Sequence, residues 1–336
     1  FESDKKEEKK VKKTRVFPAN PLPLDNLKSM DANLDIIAKK IKTRDLDLDN
    51  VKLVMTLTNG KLALKPLNAD MGGGNFAVQM DLDASNPKTA QLNTKIDIKN
   101  FQPSSLPDYK DKITGGKSDA TIDVSGSGNS IAAIMAGLNG KMLVQMGAGT
   151  FKGSSASATT ADAFSSIKNA IYSGSDSSSG DTEIICGVIN LNIKDGIATT
   201  DKGIAINTRK MNIIGSGIIN LKTEELDIAI DPQAQEGVGI SAGQLAELVK
   251  IGGTLADPKA VPSTKAALKT AVSVGAAVAT GGLSILAQGL FDRSTADTDP
   301  CATALGIKPK STTTTTTKTE EEKPKSVTEK ATDTVK

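Results

Sequence analysis

The sequence predicts a mainly β protein: an elongated, curved antiparallel sheet with a few short helices and a C-terminal helical segment. Apolar and polar residues alternate along many short segments, and Asn-Gly and Asp-Gly dipeptides separate several of them. Hydrophobic residues make up 38% of the 336 residues but aromatic residues only 3%, and there is no Trp. A core of Ile, Val, Leu, Met and Ala suits a long, shallow sheet better than a compact globule.

Alternation with a period of two residues is the main structural signal in the chain. In "NFAVQMDLD", Phe76, Val78, Met80 and Leu82 point to one side and the intervening residues to the other. The segments "LNTKIDIKN", "VINLNIKD" and "LDIAID" alternate in the same way. Antiparallel sheets with one solvated face have this pattern, whereas parallel sheets are apolar on both faces.

Turn signals separate the alternating segments. Asn59-Gly60 stands between "VKLVMTLT" and "KLALKPL", and Asp195-Gly196 between "VINLNIK" and "IATTDKGIAIN". Both dipeptides tolerate the positive φ angles that two-residue hairpin turns require. The sequence therefore predicts a hairpin at each position.

The same layout occurs twice along the chain. Residues 46–83 and 188–231 each give a strand, a tight turn, a second strand, a link and a third strand. Gly-rich links are expected at residues 72–74 and 215–217. Short strands at this spacing predict a modular antiparallel meander.

A first helix is predicted in "GNSIAAIMAGLNGK". Asn129 or Ser130 would cap its start, and Asn139-Gly140 would end it. Its apolar side is formed by Ile131, Ile134, Met135 and Leu138.

Two further helical segments are predicted, at residues 161–173 and from residue 264 onward. Within the second, residues 271–291 carry no charge and could span a bilayer by length. Gly281-Gly282 and several polar residues dilute its hydrophobicity, which favours a helical hairpin that packs on the sheet end or lies at a membrane surface.

Composition divides the chain into four regions. Residues 1–21 are a charged, Pro-rich linker, for which a basic arm on anionic lipid is the alternative. Residues 22–262 form the β-rich domain, and residues 263–307 the C-terminal helical segment. Residues 308–336 are a Thr, Lys and Glu tail with too little apolar surface to fold, so disorder is expected.

Composition also bears on chemistry. The chain has no His and two Cys, which excludes Ser-His-Asp and Cys-His mechanisms and any zinc site built on His or on four thiolates. A net charge of +2 and few aromatic residues give no argument for nucleic acid as a partner. We therefore expect no enzymatic activity, no metal and no cofactor.

A long sheet with a bare apolar face would aggregate. It must fold on itself, pair with a partner or hold an apolar ligand. Periodicity leaves two arrangements open: two apolar faces closed into a sandwich, or a trough that shields acyl chains while lipid headgroups stay in water.

Several segments resemble the AsmA family of Gram-negative envelope proteins. Their order along the chain is specific, although no single motif is unique, and together they extend over residues 22–307. They are "LDLDNVKLVMTLTNGKLALKPLNADMGGGNFAVQMDLDAS", "DATIDVSGSGNSIAAIMAGLNGKMLVQMGAGTF", "IICGVINLNIKDGIATTDKGIAINTRKMNIIGSGIINLKTEELDIAID", "IGGTLADPKAVPS" and "DPCATALG". In the family, the segment that "IGGTLADPKAVPS" resembles is a strand followed by a terminal helix. The segment that "DPCATALG" resembles is the cysteine-containing end.

The resemblance implies an inner-membrane anchor N-terminal to this segment and a β-rich body in the periplasm that reaches toward the outer membrane. It implies an open β-trough, similar to chorein-type bridge proteins that conduct lipids, and a role in phospholipid transport between the membranes and in outer-membrane biogenesis. A non-conducting scaffold that regulates outer-membrane protein assembly is the alternative. The expected partners are phospholipid acyl chains, other envelope proteins, and the membrane through the anchor and residues 271–291.

On this interpretation, the apolar side chains of the alternating strands face lipid. The candidates are Leu53, Met55, Leu57, Leu62, Leu64, Phe76, Val78, Met80, Leu82, Ile96, Ile98, Ile189, Leu191, Ile193, Leu226, Ile228 and Ile230.

The cysteines bear on the compartment. Taken alone, Cys186 is a buried apolar residue, a reactive thiol or half of a long-range bond to Cys301. No His is present to activate a thiol, and disulfides persist outside the cytoplasm, where the resemblance places the chain. We predict a Cys186–Cys301 bond that ties the C-terminal helical segment to the first strand of the last unit.

Overall fold

The structure, a computed structural model, describes residues 15–43, 46–152, 181–234, 249–262 and 299–307. In these ranges the chain forms one antiparallel sheet of 15 strands with three short α-helices and a 3-10 turn. The prediction of a mainly β protein built on an antiparallel sheet is confirmed.

The strands are β1 (Ala32–Lys42), β2 (Asp47–Thr58), β3 (Lys61–Met71), β4 (Gly74–Asp83), β5 (Ala90–Phe101), β6 (Ile113–Gly115), β7 (Ser118–Gly128), β8 (Asn139–Met146), β9 (Gly149–Phe151), β10 (Thr182–Lys194), β11 (Ile197–Thr208), β12 (Met211–Asn220), β13 (Glu225–Ala234), β14 (Val249–Thr254) and β15 (Asp257–Pro262). The helices are α1 (Leu24–Lys28), α2 (Ile131–Ala136) and α3 (Pro300–Ala304), and the 3-10 turn is Pro103–Ser105.

The strands cross the sheet almost in the order in which they occur in the chain. The path runs from β1 to β15, with β6 and β9 paired to each other beside β10. Among the described strands, β1 and β15 are not paired with each other, so the sheet is open. This is the meander that repeated hairpins predict.

Both predicted hairpin turns are present. Asn59 and Gly60 have φ angles of 51° and 77°, and Asp195 and Gly196 have φ angles of 50° and 75°. Positive φ at both central residues matches the twist of the adjoining strands, which explains why Asn-Gly and Asp-Gly mark these positions.

The sheet has one apolar and one polar face. Directly paired residues of antiparallel strands point to the same side. The pairs Met55–Leu64 and Leu64–Met80 therefore place three apolar side chains together. Lys95 and Asp123 are paired on the other side. We call these sides the apolar face and the polar face.

Ion pairs line the polar face in its N-terminal half. Lys65 Nζ lies 2.7 Å from Asp81 Oδ2, and Lys99 Nζ lies 3.2 Å from Asp119 Oδ2. All four side chains are largely exposed, so each pair contributes about 0 to 1 kcal/mol. Their main consequence is that this face stays solvated.

Helix α2 begins as predicted but ends earlier. Ser130 is the cap, because its Oγ accepts the Ala133 N–H at 3.1 Å. The helix ends at Ala136, so the prediction that Asn139-Gly140 ends it is wrong. Asn139 instead begins β8, and its Oδ1 accepts the Asp195 N–H at 3.0 Å, which joins this strand start to the next turn.

The predicted link at residues 215–217 is also wrong, because these residues lie inside β12. A Cβ on Gly217 would overlap the carbonyl oxygen of Asp227 on β13, and one on Gly215 would lie 3.0 Å from Ile204 Cβ on β11. The glycines are there because neighbouring strands approach closely, which composition alone does not distinguish from a link.

Residues 251–262 form two strands where one was expected. The segment up to Pro262 forms a hairpin of β14 and β15, with Gly253 at a φ of 80° beside the turn. The helix expected after it and the predicted helices at 161–173 and 264–291 lie outside the described residues. In the described part, no helix has the length and hydrophobicity to span a membrane.

The predicted disulfide is confirmed. Cys186 on β10 and Cys301 on α3 are bonded across a sequence separation of 115 residues, with their Cα atoms 6.5 Å apart. Asp299 caps α3 by accepting the Ala302 N–H at 3.0 Å, and Pro300 occupies the first turn. The four predicted region boundaries stay predictions.

Candidate functional site

The apolar face continues across the sheet through successive registered pairs. One row passes through Leu53, Leu67, Val78, Ile96, Ile122, Met142 and Leu191. A parallel row passes through Phe76, Ile98, Ala120, Val144, Ile189 and Ile204. Apolar side chains thus remain adjacent from strand to strand, although apolar and polar residues alternate along each strand.

The register places all the sequence-predicted candidates on this apolar face. Most are half-buried: Leu53, Met55, Leu62, Leu64, Phe76, Val78, Met80, Leu82, Ile96, Ile98, Ile193 and Leu226. Ile189 is 40% exposed, whereas Leu57, Leu191, Ile228 and Ile230 are buried. The candidates therefore share one face but differ in accessibility.

The accessibility of the apolar face differs between β1 and the strands β12 and β13. On β1, Leu34 and Ile36 are 41% and 38% exposed. On β12 and β13, Met211 and Ile230 are 1% exposed. Met211 and Ile230 belong to a cluster of buried side chains, which we call the closing cluster. In the described part of the chain, strand β1 has no such cluster. The buried members of the closing cluster are Met211, Ile213, Ile228, Ile230 and Ile251.

Residues 15–23, which we call the strap, cross one end of the strands together with α2. The Leu22 N–H donates to the Asn129 carbonyl at 2.7 Å, and the Ala132 N–H donates to the Pro18 carbonyl at 3.0 Å. At this end, Ile134 and Leu138 belong to a cluster that includes two strap residues and several apolar-face residues. These are Phe17 and Leu22 of the strap, and Leu92, Val124, Ile193 and Ile219 of the sheet. The strap therefore covers part of the apolar face at one end of the strands.

Glu224, in the β12–β13 turn, holds the start of the strap. Its carboxylate accepts the Val16 N–H at 2.7 Å, the Phe17 N–H at 3.1 Å and the Arg15 Nε–H at 3.1 Å. Burial raises the pKa of the carboxyl, but these three donors outweigh burial and leave the pKa below its ordinary value. The side chain is therefore ionised at neutral pH when the strap is in place.

On the polar face, α3 covers β10 and β11. Cys301 and Ala304 pack against Val188 and Ala205, which are both buried. Asn190 Nδ2 donates to the Ala304 carbonyl at 3.0 Å. The polar face of β10 and β11 is therefore covered, whereas the polar face of the N-terminal strands is solvated.

Sequence reasoning did not identify Glu224 or the strap contacts. The acid is one of two adjacent Glu residues in a polar turn, and nothing local separates it from a surface carboxylate. Within the described ranges, no group of three or more Cys, Asp or Glu side chains could hold a metal ion.

Comparison with known proteins agrees with the geometry. The family model described as AsmA family matches residues 2–202. The chain belongs to the AsmA family. AsmA family membership ties its function to the cell envelope, and the disulfide agrees with an oxidising compartment.

A curated relative is the AsmA family protein YhjG of Escherichia coli strain K12, which is 28% identical over 309 residues. The match covers 90% of this chain and 43% of the relative, so the chain spans less than half the length of that AsmA family protein. No solved structure matches the chain.

Proposed function

We propose that this chain is a periplasmic, lipid-binding segment of an inner-membrane-anchored AsmA family protein. It holds phospholipid acyl chains on the apolar face and takes part in phospholipid transport between the inner and outer membranes, and so in outer-membrane biogenesis. It acts by binding and not by catalysis. Other envelope proteins are proposed as its partners.

One observation carries this proposal. From β2 to β8, the apolar face is continuous and most of its large side chains are only half-buried, with Val51 and Leu57 as buried exceptions, while the opposite face carries solvated ion pairs. Monomeric soluble proteins rarely expose contiguous apolar surface of this kind unless it is used. Removing apolar surface from water contributes roughly 25 cal/mol per Å², and an acyl chain requires no hydrogen bonds from its host. The face therefore suits lipid tails.

The matched positions Val78 and Gln79 on β4 provide the test. Val78 is half-buried on the apolar face, and its neighbour Gln79 is exposed on the polar face. A photo-crosslinking benzoylphenylalanine at Val78 should capture phospholipid in envelope membranes, and one at Gln79 should not. If Val78 captures only protein, or if both positions capture lipid equally, the proposal fails.

A non-conducting scaffold for outer-membrane protein assembly is the second candidate. The closing cluster favours it, because Ile213, Ile228 and Ile251 at 7%, 6% and 8% exposure have the burial of an ordinary core. Native mass spectrometry of the gently purified chain separates the two functions. A scaffold would have the mass of the polypeptide alone, whereas a lipid-handling segment would carry added phospholipid masses.

A further inference from the structure

We infer that the apolar face is a blind-ended binding surface, open at β1 and closed by the closing cluster on β12 to β14, so that acyl chains occupy β2 to β10 only. This inference rests on the proposed function and specifies where on the face the lipid lies.

The burial of individual isoleucines marks the boundary. Ile36 on β1 is 38% exposed, and Ile189 on β10 is still 40% exposed. Beyond β10, Ile213 on β12 is 7% exposed and Ile230 on β13 is 1% exposed. All four lie on the apolar face, so the change is not a change of side. In the open part Leu57 and Leu191 are buried as single side chains, whereas beyond β10 the buried residues form one cluster.

The side chains of the closing cluster are packed against one another. They are joined by partly buried Ile204, Ile206, Ile219 and Leu226. Protein interiors are packed about as densely as organic crystals, so an acyl chain could enter only by separating these side chains. An acyl chain that moves along the face from β1 therefore stops at this cluster.

The polar face strengthens the closed end. Behind β10 and β11, α3 is held by the Cys186–Cys301 bond and by Asn190, whose amide donates to the Ala304 carbonyl at 3.0 Å. Val188 and Ala205 are 4% and 0% exposed beneath α3. On β11, Ile204 and Ile206 pack against the closing cluster on one side and α3 covers the other side, so this strand resists the spreading that lipid entry would require. The polar face of the N-terminal strands is solvated instead.

The isoleucines allow a test without any mutation. Methyl-labelled Ile residues of the full chain would be observed by NMR in the presence of a phosphatidylethanolamine that carries a nitroxide on its acyl chain. Its diamagnetic, reduced form is the matched control. Ile37, which is 80% exposed and pairs with Lys52 on the polar face, reports non-specific collisions.

We expect strong signal loss on the open part of the face, at Ile96, Ile98, Ile122 and Ile189. The signals of Ile213, Ile228, Ile230 and Ile251 should keep their intensity, and Ile37 should change no more than they do. Equal loss in both groups would overturn the inference and leave the proposed function intact. No loss at any apolar-face methyl would overturn the proposed function itself, and the inference with it.

Discussion

Arg15 and Glu224 are separated by 209 positions in the chain, yet Nε of Arg15 donates to Oε1 of Glu224 over 3.1 Å. The Glu224 side chain is 1% exposed, whereas that of Arg15 is 47% exposed. Because the carboxylate also accepts the backbone N–H groups of Val16 and Phe17, one buried acid joins the strap to the β12–β13 turn.

Replacing the two partners should therefore have unequal effects. Glu224→Gln weakens the charge-assisted hydrogen bonds that a buried carboxylate accepts and should lower the free energy of unfolding by about 1.5 to 3 kcal/mol. Arg15→Ala removes a half-exposed partner and should cost about 0 to 1 kcal/mol. Urea denaturation of both variants measures this difference. Equal losses would show that the backbone donors contribute little.

The same carboxylate predicts a pH dependence. Its pKa in the folded protein lies below the ordinary value of 4.5, so its stabilising contribution is complete above pH 4.5 and is lost as the pH falls through the folded pKa. The stability difference between wild type and Glu224→Gln should therefore shrink below pH 4.5. Denaturation curves measured over a pH series check this, and a constant difference would contradict it.

Loss of the Cys186–Cys301 bond should destabilise the protein and release α3. The loop closed by the bond has a sequence separation of 115 residues, for which loop entropy predicts about 4 to 5 kcal/mol. Hydrogen exchange should increase at residues 299–307 on addition of a reductant. The Cys186→Ser, Cys301→Ser double variant is the control, because a reductant should leave it unchanged. An equal response from this variant would assign the effect to something other than the bond.

Gly140 should not tolerate a side chain. It has a φ of 140°, and an added Cβ would lie 2.8 Å from Val124 Cα and would overlap the Asp123 carbonyl. Backbone strain alone should cost Gly140→Ala about 1 to 3 kcal/mol. Gly147→Ala is the matched control, because its Cβ would lie 3.5 Å from Lys117 O, an ordinary contact. Thermal unfolding compares the two, and similar shifts would refute this account.

A charge on the apolar face should expel lipid. Met80 is half-buried on that face, and Gln79 beside it is exposed on the other. Met80→Lys should reduce the phospholipid that co-purifies with the chain several-fold, because an ammonium group next to acyl chains loses its hydration. Gln79→Lys should leave lipid content unchanged and alter stability by less than about 0.5 kcal/mol. Lipid extraction and mass spectrometry measure both, and unchanged lipid in Met80→Lys would contradict the assigned face.

The strands with clear alternation could be predicted from the sequence, because period two follows directly from one wet and one apolar side. Strand β1 was not predicted. Its adjacent Ile36 and Ile37 break the alternation, and both remain exposed at the edge of the described sheet. Pairing with β2, and not its own pattern, defines this strand.

The apolar face could be predicted as a set of residues, but its closed end could not. Period two assigns Ile96 and Ile230 to the same class, although one is half-buried and the other buried. The difference depends on how side chains of the neighbouring strands β11 to β14 pack together, which the alternation within one strand does not record. Helix α3 did carry local signals, an Asp299 cap followed by Pro300, which a search for short helices would find.

The continuous pairing from β1 to β15 also limits which insertions and deletions the sheet can tolerate. A deletion of one residue in β5 before Lys95 would turn every later side chain of that strand to the other face, and would set Lys95 and Lys99 among the side chains of the apolar face. Such a deletion reverses the phase of the side-chain alternation in the rest of the strand. Gains and losses of residues are therefore tolerable in the turns, or when a whole hairpin is duplicated or removed, which leaves every remaining strand in phase.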